Sequence, residues 1–194
     1  MTHRRAVLLV VRLCVIAVLL PGCVPVTEPL SDPDKAEPDK RLLGTWQSAD
    51  CPYEIDAPPV KGNPKGLMRA LRYGRADNPQ NIFWFFTTTI GKHTYATIYV
   101  ESYDKWGNIR YADFRKEGAF KKWNEKQDRH YFIVRLVLDG DKVTVDGGDD
   151  SAEEKLNKAM PAHKTPWWLA KYLEKNGPQI YNGTNEAEYR RSKK

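Results

Sequence analysis

Apolar and polar residues alternate most regularly between Asn81 and Glu101. Ile82–Ile90 and His93–Glu101 are rich in aromatic and β-branched residues, and Gly91-Lys92 between them suits a two-residue hairpin turn. That turn fixes the register and pairs Ile90 with His93. One face of the hairpin then pairs Thr87 with Ala96, Phe85 with Ile98 and Phe83 with Val100. The other pairs Thr88 with Tyr95, Phe86 with Thr97 and Trp84 with Tyr99. The first face is the drier and is assigned to the core, because a one-residue slip would exchange the two faces. The second face is aromatic but amphipathic and needs a partial cover.

Tyr131–Leu138 and Lys142–Asp146 form a second hairpin around Asp139-Gly140-Asp141, with Phe132, Val134, Leu136 and Leu138 on one face. Arg41–Ser48 is a first strand with Leu43 and Thr45 buried, and Leu42 and Trp46 as further candidates. Ile109–Lys116 is another strand. In Ala49–Gln80 the prolines and glycines allow only one short element, at Leu67–Tyr73. Glu117–Arg129 is polar, basic and unassigned. The period then changes. Ser151 and Glu154 make a capping box ahead of a stripe at Ala152, Leu156, Ala159 and Met160. A second helix starts at Thr165-Pro166, carries Trp168, Leu169, Tyr172 and Leu173 on one side, and ends at Gly177-Pro178. It is expected to cover the second face of the Trp84 hairpin. Six or seven strands followed by two helices predict a mainly β domain, an antiparallel meander or partial barrel with C-terminal helices.

The N-terminus follows a different pattern. Arg4 and Arg5 precede two short apolar runs split by Arg12, and the longest run is too short for a spanning helix of ~20 residues. A basic flank, a short apolar centre and a small-residue exit make residues 1–22 a secretory signal. Residues 23–40 carry Pro25, Pro29, Pro33 and Pro38 among charged residues, and are expected to form an extended tether reaching up to ~50 Å. The domain is placed at 41–181 and a basic tail at 182–194.

Charge alters little. The whole chain carries 31 basic and 25 acidic residues. Loss of Arg4, Arg5 and Arg12 with the signal leaves 28 basic residues, a net charge near +3, so nucleic acid is not an expected partner. Cys14 leaves with the signal, and Cys51 has no other cysteine in the domain to bridge to.

Leu20-Pro21-Gly22-Cys23 resembles the lipobox of bacterial lipoproteins. The resemblance implies cleavage before Cys23 and acylation of that cysteine, with the membrane as a partner through its acyl chains. With Val24 rather than Asp next, it implies a lipid-anchored cell-envelope protein, on the outer membrane facing the periplasm if the host is Gram-negative. Gly44-Thr45-Trp46 resembles the G-x-W opening of lipocalins, in which the Trp closes the base of an eight-stranded barrel. Ile90-Gly91-Lys92-His93-Thr94-Tyr95, the Tyr131, Phe132, Arg135 strand and the Asp139–Asp141 turn are similar to small uncharacterised bacterial lipoproteins with a lipocalin-like β domain. This resemblance spans about residues 41–176.

The candidate chemistry is sparse. No nucleophile-elbow, zinc-protease or Cys-x-x-Cys motif is present. A hydrolase pairing Cys51 with His93 or His130 is a remote alternative, and His163 sits in a Pro-containing linker. The acids Asp139, Asp141, Asp146, Asp149 and Asp150 have turn and helix-start roles that need no Ca²⁺, so neither a metal nor a cofactor is expected. Trp46, Phe83, Phe85, Ile98 and Val100 are candidate lining residues for a hydrophobic or amphipathic ligand. Lys121 and Lys122 around Trp123 are a candidate surface contact. The expected function is a non-catalytic binding module. A solid-core domain that binds another envelope protein is the alternative.

Overall fold

The structure is a computed structural model, and it describes residues 24–49, 51–73, 79–103, 109–148, 155–156 and 168–192. The signal segment, Cys23, His163, the Ser151/Glu154 capping box and the Thr165-Pro166 helix start lie outside the described residues.

Among the described residues there are ten strands: β1 (Val24–Val26), β2 (Gly44–Gln47), β3 (Pro52–Asp56), β4 (Met68–Tyr73), β5 (Pro79–Ile90), β6 (His93–Tyr103), β7 (Ile109–Tyr111), β8 (His130–Asp139), β9 (Lys142–Asp146) and β10 (Glu186–Arg191). Helical segments accompany them, among them α1 (Ala119–Asn124), α2 (Trp168–Ile180), a 3-10 turn at Pro33–Lys35 and residues 155–156. β2-β3-β4-β5-β6-β8-β9-β10 is a continuous antiparallel circuit, since β6 pairs with β8 and β10 pairs with both β9 and β2. The protein is therefore a closed, mainly β, lipocalin-like barrel of eight strands, with β1 and β7 as extra strands on β8 and β6.

The β5–β6 ladder has the expected register from Ile90–His93 to Phe85–Ile98. There it ends. Beyond it Val100 pairs with Tyr111 on β7, which takes the β6 edge that β5 leaves, so Phe83–Val100 and Trp84–Tyr99 are not ladder partners. β5 keeps its ladder with β4 along Ile82–Phe85, while β7 replaces it beside β6.

Period two gives this sheet two apolar faces, and both are buried. The inner face holds Leu42, Trp46, Cys51, Tyr53, Met68, Ala70, Phe85, Ala96, Val134, Leu136 and Val143 in one cluster. The outer face of β5, β6 and β8 presents Trp84, Phe86, Tyr95, Tyr99, Tyr131 and Ile133 to a second cluster. Trp168, Leu169 and Leu173 of α2 cover it, together with Phe120 and Trp123 of α1. The Tyr99 ring is central, with Phe86, Phe114, Phe120, Trp123 and Tyr131 between 4.9 and 6.0 Å away.

Three boundaries and the burial in β2 need correction. Residues 24–40 do not form a free tether. β1 pairs along Tyr131–Ile133, Val26 and Leu30 are buried in the outer cluster, and Ser31 Oγ lies 2.7 Å from Thr88 Oγ1. Proline-rich composition signals missing backbone donors, but a few well-placed apolar side chains still hold the segment down. Residues 182–194 are not a tail, because β10 completes the barrel. At β2 the candidates Leu42 and Trp46 are buried, while Leu43 and Thr45 are only half-buried. α2 also continues past Gly177-Pro178 to Ile180. Ile180 and Tyr181 are buried in the outer cluster, and Gly177 gives Tyr95 room: a Cβ there would sit 2.3 Å from the Tyr95 hydroxyl.

Gly66 makes the docked N-terminal segment testable. A Cβ at Gly66 would lie 2.4 Å from the backbone carbonyl of Ala36. Backbone cannot yield as a flexible side chain can. Gly66→Val is therefore expected to lift residues 33–36 off the barrel and to accelerate amide exchange at Lys35 and Ala36, whose N–H groups donate to Asp32 O and Pro33 O. Unchanged exchange would mean that the segment is not seated on Gly66.

Candidate functional site

The two ends of the barrel differ. At the end where β2 begins, the interior is plugged. Trp46 is 1% exposed and its Nε1 donates to Leu42 O at 2.7 Å. Arg191, from the last strand, lies over the Trp46 ring with Cζ 4.5 Å from its centroid. Its Nη1 donates to Leu43 O at 2.8 Å and its Nη2 to Arg41 O. This cation–π stack and the two carbonyl bonds hold the first and last barrel strands together. Met68, Phe85, Ala96 and Val134 fill the space above.

The other end lies by the Ser48–Cys51 connection. Here most of the aromatic side chains are less covered. Tyr53 meets Tyr189 edge-on at 5.3 Å and Phe83 at 6.1 Å, and Phe83 meets Tyr111 edge-on at 4.8 Å. Phe83, Tyr111 and Tyr189 are half-buried, as is Ile98 beside them. Together these rings make an aromatic band across the mouth. Arg72 stands opposite Tyr53 in the β3–β4 ladder, and its Nε donates to Cys51 Sγ at 3.0 Å. Ser48 Oγ accepts from Cys51 N, donates to Cys51 O and lies 3.9 Å from Cys51 Sγ. Burial pushes the Tyr53 phenol well above its ordinary range. Tyr189 and Cys51 add to the shift and Arg72 opposes it, so Tyr53 stays a neutral hydroxyl. The mouth thus offers apolar ring surface, phenolic hydroxyls and one guanidinium.

The sequence candidates divide. Trp46 and Phe85 belong to the packed interior, Phe83 and Ile98 reach the mouth, and Val100 is buried outside this cluster. Tyr53, Arg72, Tyr111 and Tyr189 were missed. A signal for two of them is present: Cys51, Tyr53 and Ile55 alternate with Pro52, Glu54 and Asp56, and Ala187 and Tyr189 alternate with Glu186, Glu188 and Arg190. Trp123 is not a surface contact. It is 3% exposed and packs on Tyr99 and Tyr131, because the short α1 turns Phe120 and Trp123 inward and leaves Lys121 and Lys122 exposed.

His93 lies at the β5–β6 turn, where burial first, then Arg135 and Lys92, lower its pKa. Asp146 is fully buried and takes Arg135 Nη2 at 2.8 Å, while Asp139 and Asp141 are exposed at the far hairpin. Asp149 and Asp150 lie outside the described residues. Among the described residues no three metal-ligating side chains cluster. Comparison with protein-family models, with curated proteins and with solved structures gives no match.

Proposed function

We propose that this protein is a lipid-anchored envelope protein whose barrel mouth binds a hydrophobic or amphipathic ligand without carrying out chemistry on it. The half-buried rings of Phe83, Tyr111 and Tyr189, packed on the buried Tyr53, are the observation that carries this reading. Rings left partly uncovered at the end of an otherwise filled barrel give a ligand apolar surface to bury, and Arg72 beside them suits a polar or anionic end. The packed floor, with Phe85 and Trp46 6% and 1% exposed, means that a ligand would cap the mouth rather than enter a deep calyx. The lipobox at Cys23 supports an acyl anchor and an envelope location, on the outer membrane facing the periplasm in a Gram-negative host.

The packed interior also suits the second reading, a solid-core domain for an envelope protein partner. That reading calls for an exposed apolar patch. Among the described residues only Val137 is a large apolar side chain that is exposed, at 44%, which favours the ligand.

Native mass spectrometry tests the choice. The full chain, extracted from the envelope in mild detergent, should carry a small-molecule mass that is lost on denaturation. Phe83→Ala should reduce retention about tenfold, since removing a stacking ring costs of the order of 1–2 kcal/mol. A clean apo mass from several hosts, with no binding of a fluorescent apolar probe, would remove the ligand reading.

A further inference from the structure

We infer that the exposed face of α1, with Lys121, Lys122 and the preceding Lys116, docks on the anionic headgroups of the same bilayer that anchors the chain. The inference rests on acylation at Cys23, and it adds an orientation that the anchor alone does not give.

The first observation is the absence of slack. β1 starts at Val24, paired with Ile133, so residue 23 is one peptide from the barrel wall. One residue spans at most ~3.6 Å. Acyl chains on residue 23 would therefore draw β8 against the headgroups, not hold the domain ~50 Å away as a free tether would.

The second is where α1 sits. Val26 pairs with Tyr131, and the Trp123 ring lies 5.2 Å from the Tyr131 ring. Three residues of strand at ~3.3 Å each put residue 23 only about 10 Å along β8 from that contact. Trp123 Nε1 also donates to Val100 O at 3.3 Å, so the helix is pinned to the wall that carries the anchor.

The third is charge. Nearby basic side chains are already engaged: Arg115 with Asp113, Lys126 with Glu101, Lys61 with Glu117, and Arg129 with Asn124. Lys116, Lys121 and Lys122 are exposed and have no ion pair among the described residues. Of the exposed acids on the same stretch, Asp113 and Glu117 are paired with Arg115 and Lys61, and Glu125 and Asp128 leave the three lysines a positive balance. Each lysine at an anionic surface gains about 1 kcal/mol, too little to recruit a free protein. A short covalent anchor raises the effective concentration to the millimolar range or above, where that gain is enough to hold the helix down.

The full chain should be reconstituted into vesicles of phosphatidylcholine alone and of phosphatidylcholine with roughly one part in four phosphatidylglycerol, and its lysines acetylated and read by mass spectrometry. Lys121 and Lys122 should label several-fold more slowly on the anionic vesicles, and high salt should restore their rate. Lys92, in the hairpin turn at the opposite end of β6, should label equally on both. In K121E/K122E, whose changes are exposed and leave the fold intact, the protection of Lys116 should disappear. Equal labelling of Lys121 and Lys122 on the two vesicles, with an acylated N-terminal peptide, would overturn the docking alone. An N-terminal peptide without acyl mass would overturn the anchoring and the docking with it.

Discussion

A chain that stops at Asn185 is expected to lose cooperative unfolding altogether. The missing strand, β10, is the only closure between β9 and β2 among the described residues, with pairs from Glu186–Asp146 to Arg190–Lys142 on one side and Arg191–Trp46 on the other. Its removal opens two edges at once, each a row of unpaired backbone groups. It also removes Tyr189 from Tyr53 and Arg191 from Trp46, and with them the Arg191 N–H bond to Asp141 O and the Ser192 N–H bond to Thr45 O. At about 1 kcal/mol per backbone bond, plus the exposed rings, the loss is of the order of a whole domain's 5–15 kcal/mol. Near-ultraviolet circular dichroism and a urea titration would read it directly. The point variant Arg191→Ala should fall between, losing about 2–4 kcal/mol for its stacking and its charged bonds to two carbonyls. If the shortened chain unfolded with the intact chain's midpoint and slope, β10 would not be closing the barrel.

That strand also shows where sequence patterning stops being informative. The β5–β6 hairpin was legible because Gly91-Lys92 fixes the turn and both faces are apolar, so register and core followed together. The β8–β9 hairpin was legible for the same reason. β10 has Glu186, Ala187, Glu188 and Arg190 exposed and only Tyr189 and Arg191 half-buried. One inward ring and one inward guanidinium look like a charged tail until Trp46 is in place to receive them. β3 hides in the same way behind Pro52 and Glu54, and it carries Tyr53. Because β5 and β6 give the mouth only Phe83 and Ile98, while Tyr53, Arg72, Tyr111 and Tyr189 come from the short strands β3, β4, β7 and β10, most of the candidate site was out of reach of the patterning that located the floor. The surface reading of Trp123 failed for a related reason: lysines flank it in sequence, but a single helical turn sends it inward while they point out. The docked N-terminal segment depends on Gly66, forty residues away from the strand it helps to seat, and no local pattern encodes such a contact.

Asp146 is the residue whose loss should be felt most among single substitutions. It is fully buried at the end of β9, and its carboxylate accepts from Arg135 Nη2 at 2.8 Å, Gly148 N at 2.9 Å and Gly183 N at 3.0 Å. Asn185 then ties the same loop down, with Nδ2 donating to Gly148 O at 2.6 Å and its carbonyl accepting from Gly147 N at 3.1 Å. One side chain therefore joins β8, the exit from β9 and the entry to β10. Asp146→Ala strips the partner from Arg135, whose side chain is 13% exposed, and orphans two backbone donors. Breaking a buried pair from one side costs about 3–5 kcal/mol, because the remaining charge keeps its desolvation penalty. Asp146→Asn keeps the shape and an acceptor but loses the ion pair, so it should cost less than the alanine. The combination Arg135→Met with Asp146→Ala should cost less than the sum of its parts, since no charge is then left buried, and a double-mutant cycle would give a coupling of about 1–3 kcal/mol. The mouth should respond too. Tyr189 lies three residues into β10, so loosening the strand's entry frees the ring that meets Tyr53, and probe binding at the mouth should weaken in Asp146→Ala even at temperatures where the variant remains folded. A cost below 1 kcal/mol, or single and double variants that simply add, would show that the junction is held by the β9–β10 ladder and not by this carboxylate.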